Sequence, residues 1–322
     1  MSPDVAVVGA GIIGLAAADA LARRGAEVVV LERGEPGGGQ SAGAARGFRH
    51  LHATAEQIGD AVAARALWDE WSARAGEPLV GGEGALRLGG DPDADAARLC
   101  AAGVVAEVVE HERFGPVLWD PRGGAIRAAR AIEYLRRGLT IRREDVRRLS
   151  DVRAGHVVLC AGAGTESLWP GVTMRRVVHL RVTFAAPRGD AASWGLPTWA
   201  DRTGRFGTRT YGVADGPGRF ALGLAELDAQ PAPPDPRAAE VPAGVDLAAV
   251  RARIHTYAAA AFPELGEPVG EVVRLLTVLP GDDEDAYVLR TEPGLTVLAG
   301  HNLFKLAPLL GERIADAAVS RG

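Results

Sequence analysis

The chain reads as an α/β fold on three features near its N-terminus: a short apolar strand, a glycine-punctuated turn running into a helix, and a second apolar strand ending on an acid. Residues 4–8 (DVAVV) form an apolar run of the kind buried on both faces of a parallel sheet. The run meets Gly9-Ala10-Gly11-Ile12-Ile13-Gly14, and residues 15–24 then carry alanine and leucine at helical spacing. Gly25 closes that helix, and residues 26–31 (AEVVVL) make the second strand, which ends at Glu32. Each glycine has its own task in this βαβ setting. Gly9 permits the tight turn, Gly11 lets backbone approach a pyrophosphate, and Gly14 lets helix and strand pack closely. The helix N-terminus presents free N–H groups to phosphate, and Glu32 stands where a carboxylate accepts from ribose hydroxyls. The unit is Rossmann-like and binds a dinucleotide, with FAD and NAD not separated by it.

The next stretch favours a flavin. Residues 37–50 (GGGQSAGAARGFRH) are rich in glycine and alanine and lead into a helix over residues 55–73. Small residues admit a bulky flat ring, and Arg46 and Arg49 supply charge beside it; an NAD domain would usually pass straight to another helix. The whole-chain numbers narrow the field further. A length of 322 residues suffices for two domains. A net charge of −5 offers no basic excess for nucleic acid. Two cysteines, Cys100 and Cys160, with no CxxC or Cys/His cluster, exclude a disulfide framework and a structural zinc site, so no metal is expected. No apolar run approaches the ~20 residues of a membrane span. Residues 5–8 run straight into glycines and read as a strand rather than a leader, so a cytoplasmic protein is expected. Of 36 Lys and Arg residues, Lys305 is the single lysine. In an arginine-rich sequence, a lone lysine either marks a place that needs a compact, rotatable ammonium or is a chance survivor.

Taken together, these segments resemble the D-amino-acid oxidase superfamily, most closely its monomeric sarcosine oxidase, N-methyltryptophan oxidase and glycine oxidase branch. The likeness runs nearly end to end. It takes in GAGIIG with Glu32, ARGFRH over residues 45–50, LWDEW over 67–71, EGALRLGG over 83–90, HVVLCAGAGTESL over 156–168, YGVADGPGRFALGL over 211–224, and PGLTVLAGHNLFKLAPLLGERIADA over 293–317. It implies a discontinuous FAD domain made of residues 1–75, 125–175 and 288–322. A substrate domain on a mostly antiparallel sheet would use 76–124 and 176–287, with PAPPDP (231–236) as an exposed turn.

The resemblance also implies roles. Arg49 and Lys305 match two cations that clamp the substrate carboxylate over the flavin, and charge-assisted hydrogen bonds of this kind contribute about 1.5–3 kcal/mol each. Arg46 matches an arginine beside the flavin ring, or is a phosphate or surface arginine. Amides of Asn302, Leu303 and Phe304 would stabilise negative charge on the reduced ring. Arg33, Ser41, Ala161, Gly162 and Gly300 complete the expected cofactor contacts. His301 is a candidate acid/base or substrate contact, or a hydrogen-bonded loop histidine. Tyr211 walls the substrate pocket or is core. The implied reaction oxidises the C–N bond of an amino acid or N-substituted amino acid, amine to imine, by hydride transfer to flavin N5.

The departures carry information too. The stretch 274–277 (RLLT) lacks the cysteine that attaches flavin in the sarcosine oxidase branch, so FAD is expected to be non-covalent. Ala221 and Ala225 stand where that branch has a lysine that helps activate oxygen and a histidine, which predicts a roomier, more apolar pocket and leaves O2 or another electron acceptor open. A dehydrogenase or desaturase not using O2, or a non-catalytic FAD-binding protein, remain alternatives. The expected partner is a small amino-acid-like molecule, and the expected state a monomer or weak homodimer.

Overall fold

A computed structural model describes residues 2–190, 193–225, 246–281 and 285–319; the predicted turn at 231–236 lies outside them. In chain order the first half comprises β1 (Val5–Val8), α1 (Ile12–Arg23), β2 (Val28–Glu32), β3 (Ala45–Phe48), α2 (Ala55–Ala75), β4 (Ala85–Leu88), α3 (Pro92–Ala101), β5 (Glu107–His111), β6 (Gly115–Asp120), β7 (Gly124–Arg127), α4 (Ala128–Arg136) and β8 (Thr140–Arg143). The second half comprises β9 (His156–Leu159), α5 (Thr165–Leu168), β10 (Arg175–Ala185), β11 (Thr198–Asp201), β12 (Thr210–Ala214), β13 (Arg219–Leu224), α6 (Leu247–Ala261), β14 (Pro268–Val278), β15 (Tyr287–Glu292) and β16 (Leu295–Gly300). A 3-10 turn over Leu303–Leu306 then enters α7 (Ala307–Val319).

The continuous apolar runs of β1, β2 and β9 pair in parallel, which buries both their faces. With β8 and β16 they form a sheet in the order β15-β16-β9-β1-β2-β8, in which only β15 runs antiparallel to its neighbour. α1 and α7 pack against each other over one face. Leu15, Leu21, Leu310 and Ile314 are fully buried there. α2 starts at a capping box, where Thr54 and Gln57 satisfy each other's backbone N–H, and stops at Gly76 with φ 75°.

The second sheet follows a different sequence logic. Its strands run β14-β10-β13-β12-β11-β4-β6-β5, all antiparallel except for the β11–β4 pair. Trp199, Phe220, Leu222 and Tyr257 pack between this sheet and α6. A two-stranded ribbon of β3 and β7 lies between the two sheets in the chain path. The mixed α/β architecture is the one the sequence predicts. At the C-terminus Lys305 lies inside the 3-10 turn that joins β16 to α7.

Candidate active site

The two sheets border a cavity of about 550 Å³. One end is the dinucleotide turn. Gly9 has φ 103°, a conformation that side chains rarely adopt. A Cβ on Gly14 would lie 1.9 Å from the Gly9 carbonyl oxygen, so the first turn of α1 closes only with glycine there. Gly9 and Gly11 line the cavity, and Gly14 supports them from behind. α1 begins at Gly11 with no side-chain cap, and Ile12 N–H donates to Ser41 Oγ at 3.0 Å. Both oxygens of Glu32 are held by backbone. Ala10 N–H donates to one at 2.7 Å and Gly34 N–H to the other at 2.8 Å. A fixed carboxylate beside a glycine turn and an uncapped helix N-terminus fits the adenosine ribose and the pyrophosphate. Arg33, Ala161 and Gly162 line the same end.

The middle of the cavity has room for a flat ring. Arg46 is fixed by three carbonyl oxygens, Ala45 at 2.7 Å, Gln40 at 2.8 Å and Ala42 at 2.6 Å, and its guanidinium sits 5.3 Å from the centroid of Phe304. Burial, then Arg274 and Arg181, push its pKa down. Gln40 Nε2 donates to Thr277 Oγ1 at 2.8 Å, tying the glycine-rich stretch to β14. Arg274, Leu275 and Leu276 of β14 line the wall. Of the two cysteines, Cys100 is exposed on α3 and Cys160 is buried just beyond β9 with its thiol pushed up to about 12 by burial. Neither lies on the β14 stretch, so the cofactor this wall accommodates is held without a cysteinyl bond.

The third region gathers the residues of the predicted clamp. Lys305 is 1% exposed, and its Nζ lies 2.8 Å from Asp285 Oδ1. Arg49 Nη2 is 3.7 Å from the other Asp285 oxygen, and His52 Nδ1 is 2.7 Å from that same oxygen. Asn302 Nδ2 donates to Asp285 Oδ1 at 2.6 Å. Asn302 has φ 57°, the left-handed region, and is the one non-glycine with positive φ among the described residues. Burial alone would raise the Asp285 pKa, but the Lys305 ammonium, the His52 hydrogen bond and Arg49 hold it well below the usual carboxylate range. Burial and Lys305 lower His52 to about 4, so it is neutral and its Nδ1–H donates to Asp285. Burial and Lys305 also lower His301 to about 4. Behind the loop, Trp68 Nε1 donates to the Lys305 carbonyl at 2.8 Å, and its ring stacks on Phe304.

Most residues singled out from the sequence therefore meet in one place. Gly300, His301, Asn302, Leu303, Phe304 and Lys305 line the cavity together with Arg49 and Tyr211. Tyr211 stacks on His179, which burial and Arg181 lower to about 3. The expected apolar enlargement is corrected. Ala225 lines the cavity, but Ala221 is fully buried in a small cluster with Ala45, Ala125 and Val213, and the nearby wall carries His179, Arg181 and Arg274. Sequence reading missed Asp285, His52, Arg87, Arg181 and Arg202. Asp285 sits in an acidic run, and nothing local marks Arg87 on β4, Arg181 on β10 or Arg202 just past β11 as cavity residues, so only the tertiary fold brings them here.

Residues 4–317 match the DAO family of FAD-dependent oxidoreductases. The chain belongs to that family. Membership makes it an FAD-dependent oxidoreductase, and the glycine turn, Glu32 and Arg46 line a cavity whose shape fits FAD. No curated protein matches it. Among solved structures it is similar to NikD, described as an unusual amino acid oxidase essential for nikkomycin biosynthesis, at 24% identity over 100% of this chain and 95% of that one, with a TM-score of 0.82. It is also similar to L-proline dehydrogenase from P. horikoshii, at 16% identity over 99% of this chain and 94% of the other, with a TM-score of 0.80. Glycine oxidase from Geobacillus kaustophilus matches at 22% identity over 100% and 95%, with a TM-score of 0.73. At these identities the likeness is one of fold. Among the described residues no helix is long and apolar enough to cross a membrane, and no group of His, Cys, Asp and Glu is placed to hold a metal ion.

Proposed function

We propose that this DAO-family chain oxidises the C–N bond of an amino acid or N-substituted amino acid, with the substrate carboxylate held by Arg49 and Lys305. One observation carries the reading: these two cations, from opposite ends of the sequence, meet at a single carboxylate beside the cofactor cavity that both of them line. That carboxylate is Asp285. A substrate carboxylate placed here would accept charge-assisted hydrogen bonds from both cations. Asp285 pairs with buried Lys305 and aims its side chain, while Asn302 ties the same carboxylate to the loop. FAD, when bound, supplies the hydride acceptor. The protein's part is to hold the α-carbon in line by its carboxylate and to keep His301 neutral beside the reacting amine. The same reading assigns residues 1–75, 125–175 and 288–322 to the FAD domain and 76–124 and 176–287 to the substrate domain, in keeping with their membership of the two sheets. Ala221, buried among apolar side chains with no ammonium of its own, favours as a second reading an electron acceptor other than O2.

Anaerobic mixing with a panel of D-, L-, N-methyl- and cyclic amino acids tests this. Bleaching of the 450 nm band by at least one of them is expected, and Arg49→Gln should raise its KM by about 10-fold or more with FAD still bound. A yellow protein that no amino acid bleaches, or an Arg49→Gln variant with unchanged KM, refutes the assignment.

A further inference from the structure

Three arginines converge on the middle of the cavity, and shared neighbours fix how close they come. Arg46 Nη1 and Arg181 Nη1 donate to one carbonyl oxygen, that of Ala45, at 2.7 and 3.1 Å. A Cβ on Gly43 would collide with Arg274 Nη2 and lie 3.6 Å from Arg46 Nη1, so the third guanidinium packs beside the first. The sheet register agrees. Arg274 on β14 stands opposite His179 on β10, and Arg181, two residues along β10, faces the same side. All three arginines line the cavity.

Among the described residues, Asp215 is the one carboxylate within ion-pair distance of this group. It lies 3.5 Å from Arg181 Nη2 and accepts from Thr183 Oγ1 at 3.1 Å. The three cations are satisfied to different degrees. Arg46 has its three carbonyl oxygens, and Arg181 has Ala45, Asp215 and the face of Tyr211. Arg274 makes no hydrogen bond and no ion pair with any described residue, and its Nε is buried. Burial, then Arg181, lowers its pKa to about 10 against the opposing pull of Tyr211 and Asp215.

Buried donors left unmet are costly unless an acceptor comes to them. The flavin ring, for which the middle of the cavity has room, brings such acceptors. The oxidised ring is neutral, and the ring that has taken up a hydride carries a negative charge. Cations fixed in place beforehand favour the charged form without rearranging.

We infer that Arg274, together with Arg46 and Arg181, binds the reduced, anionic flavin more tightly than the oxidised one and so raises the midpoint potential of the cofactor, while Asp215 opposes the rise. The inference concerns the cofactor alone, so it stands or falls apart from the amine-oxidation reading.

The midpoint potential of the holoprotein, read by equilibration with a reference dye and with no amine present, tests it. Arg274→Gln should lose about tenfold in its preference for reduced flavin, the worth of one charge-assisted contact. For a two-electron couple that is a fall of about 30 mV. Arg274→Lys keeps the charge and should restore most of the difference. Asp215→Asn removes the opposing anion and should move the potential upward. A potential unmoved in Arg274→Gln overturns the inference, and so does an equal fall in Arg274→Lys. Weaker retention of oxidised FAD on dilution with an unchanged potential makes Arg274 a plain cofactor contact and overturns it as well. If Arg274→Gln fails to fold, Asp215→Asn decides alone, and an unmoved or lower potential there is fatal to it.

Discussion

The two ends of the cavity are built by opposite means. The nucleotide end is built mainly on one stretch, β1 to β2, by backbone geometry: Gly9 at φ 103°, and Glu32 held by Ala10 and Gly34 N–H groups, with Ser41, Ala161 and Gly162 added to it. The substrate end comes from side chains that are distant in sequence, with His52, Asp285 and Lys305 meeting in one ion cluster, Arg87 on β4 and Arg202 just past the end of β11. The first end depends on backbone shape and the second on charge balance. Shape fails by collision and charge fails by imbalance, so the two should break differently.

The largest effect is expected from Gly14→Val. Its Cβ would sit against the Gly9 carbonyl at 1.9 Å, so the turn cannot close, and the purified protein should lack FAD or fail to fold. An absorbance ratio of 450 to 280 nm reads this directly, and retention of the full flavin complement would refute a shape-based nucleotide end. Next comes Lys305→Met. Removing the ammonium takes the nearest counter-ion from buried Asp285 and leaves it Arg49, His52 and Asn302, at a cost of about 3 kcal/mol in urea unfolding. Adding Asp285→Asn to it should recover part of that loss, and a double variant no more stable than the single one would show that the charge balance is misplaced.

Acidification probes the same end more gently. His52, His179 and His301 are lowered to about 4, 3 and 4, mainly by burial, whereas the unfolded chain takes up these protons near pH 6.5. Their contribution is fully present above pH 6.5 and is lost as pH falls from there toward about 4, at about 1 kcal/mol per histidine per pH unit. Thermal midpoints between pH 7.5 and 5 should fall accordingly, and His301→Gln should flatten the slope. The smallest effect belongs to Ser41→Ala, which deprives Ile12 N–H of its acceptor: about 1 kcal/mol in stability and a few-fold in FAD affinity, checked by flavin release on dilution.

That contrast also explains what was legible in the sequence. GAGIIG, Glu32 and the lone Lys305 are readable because each meets a local constraint, whether a steric collision, a strand end or a conspicuous residue choice. The first two parallel strands were legible for the same reason, since uninterrupted apolar runs such as VAVV and VVVL admit few other fates. Asp285 was not, because it follows three other acidic positions and nothing local marks it as the one that turns inward. Arg87 and Arg202 were hidden by abundance, as two arginines among many, and only the pairing of β4 with β11 brings both to the cavity. The place expected for Ala221 went wrong similarly, because a strand's neighbours decide what fills the space that a small residue leaves, whereas Ala225 lines the cavity.

The solitary ammonium has a practical corollary. With Lys305 1% exposed and no other lysine in the chain, an amine-acylating reagent added to the folded protein would find the α-amino group alone. Acylation at Lys305, followed by peptide mass spectrometry, would then clock how often the C-terminal loop swings clear of Asp285 and Trp68, a built-in chemical stopwatch on the opening of this one corner.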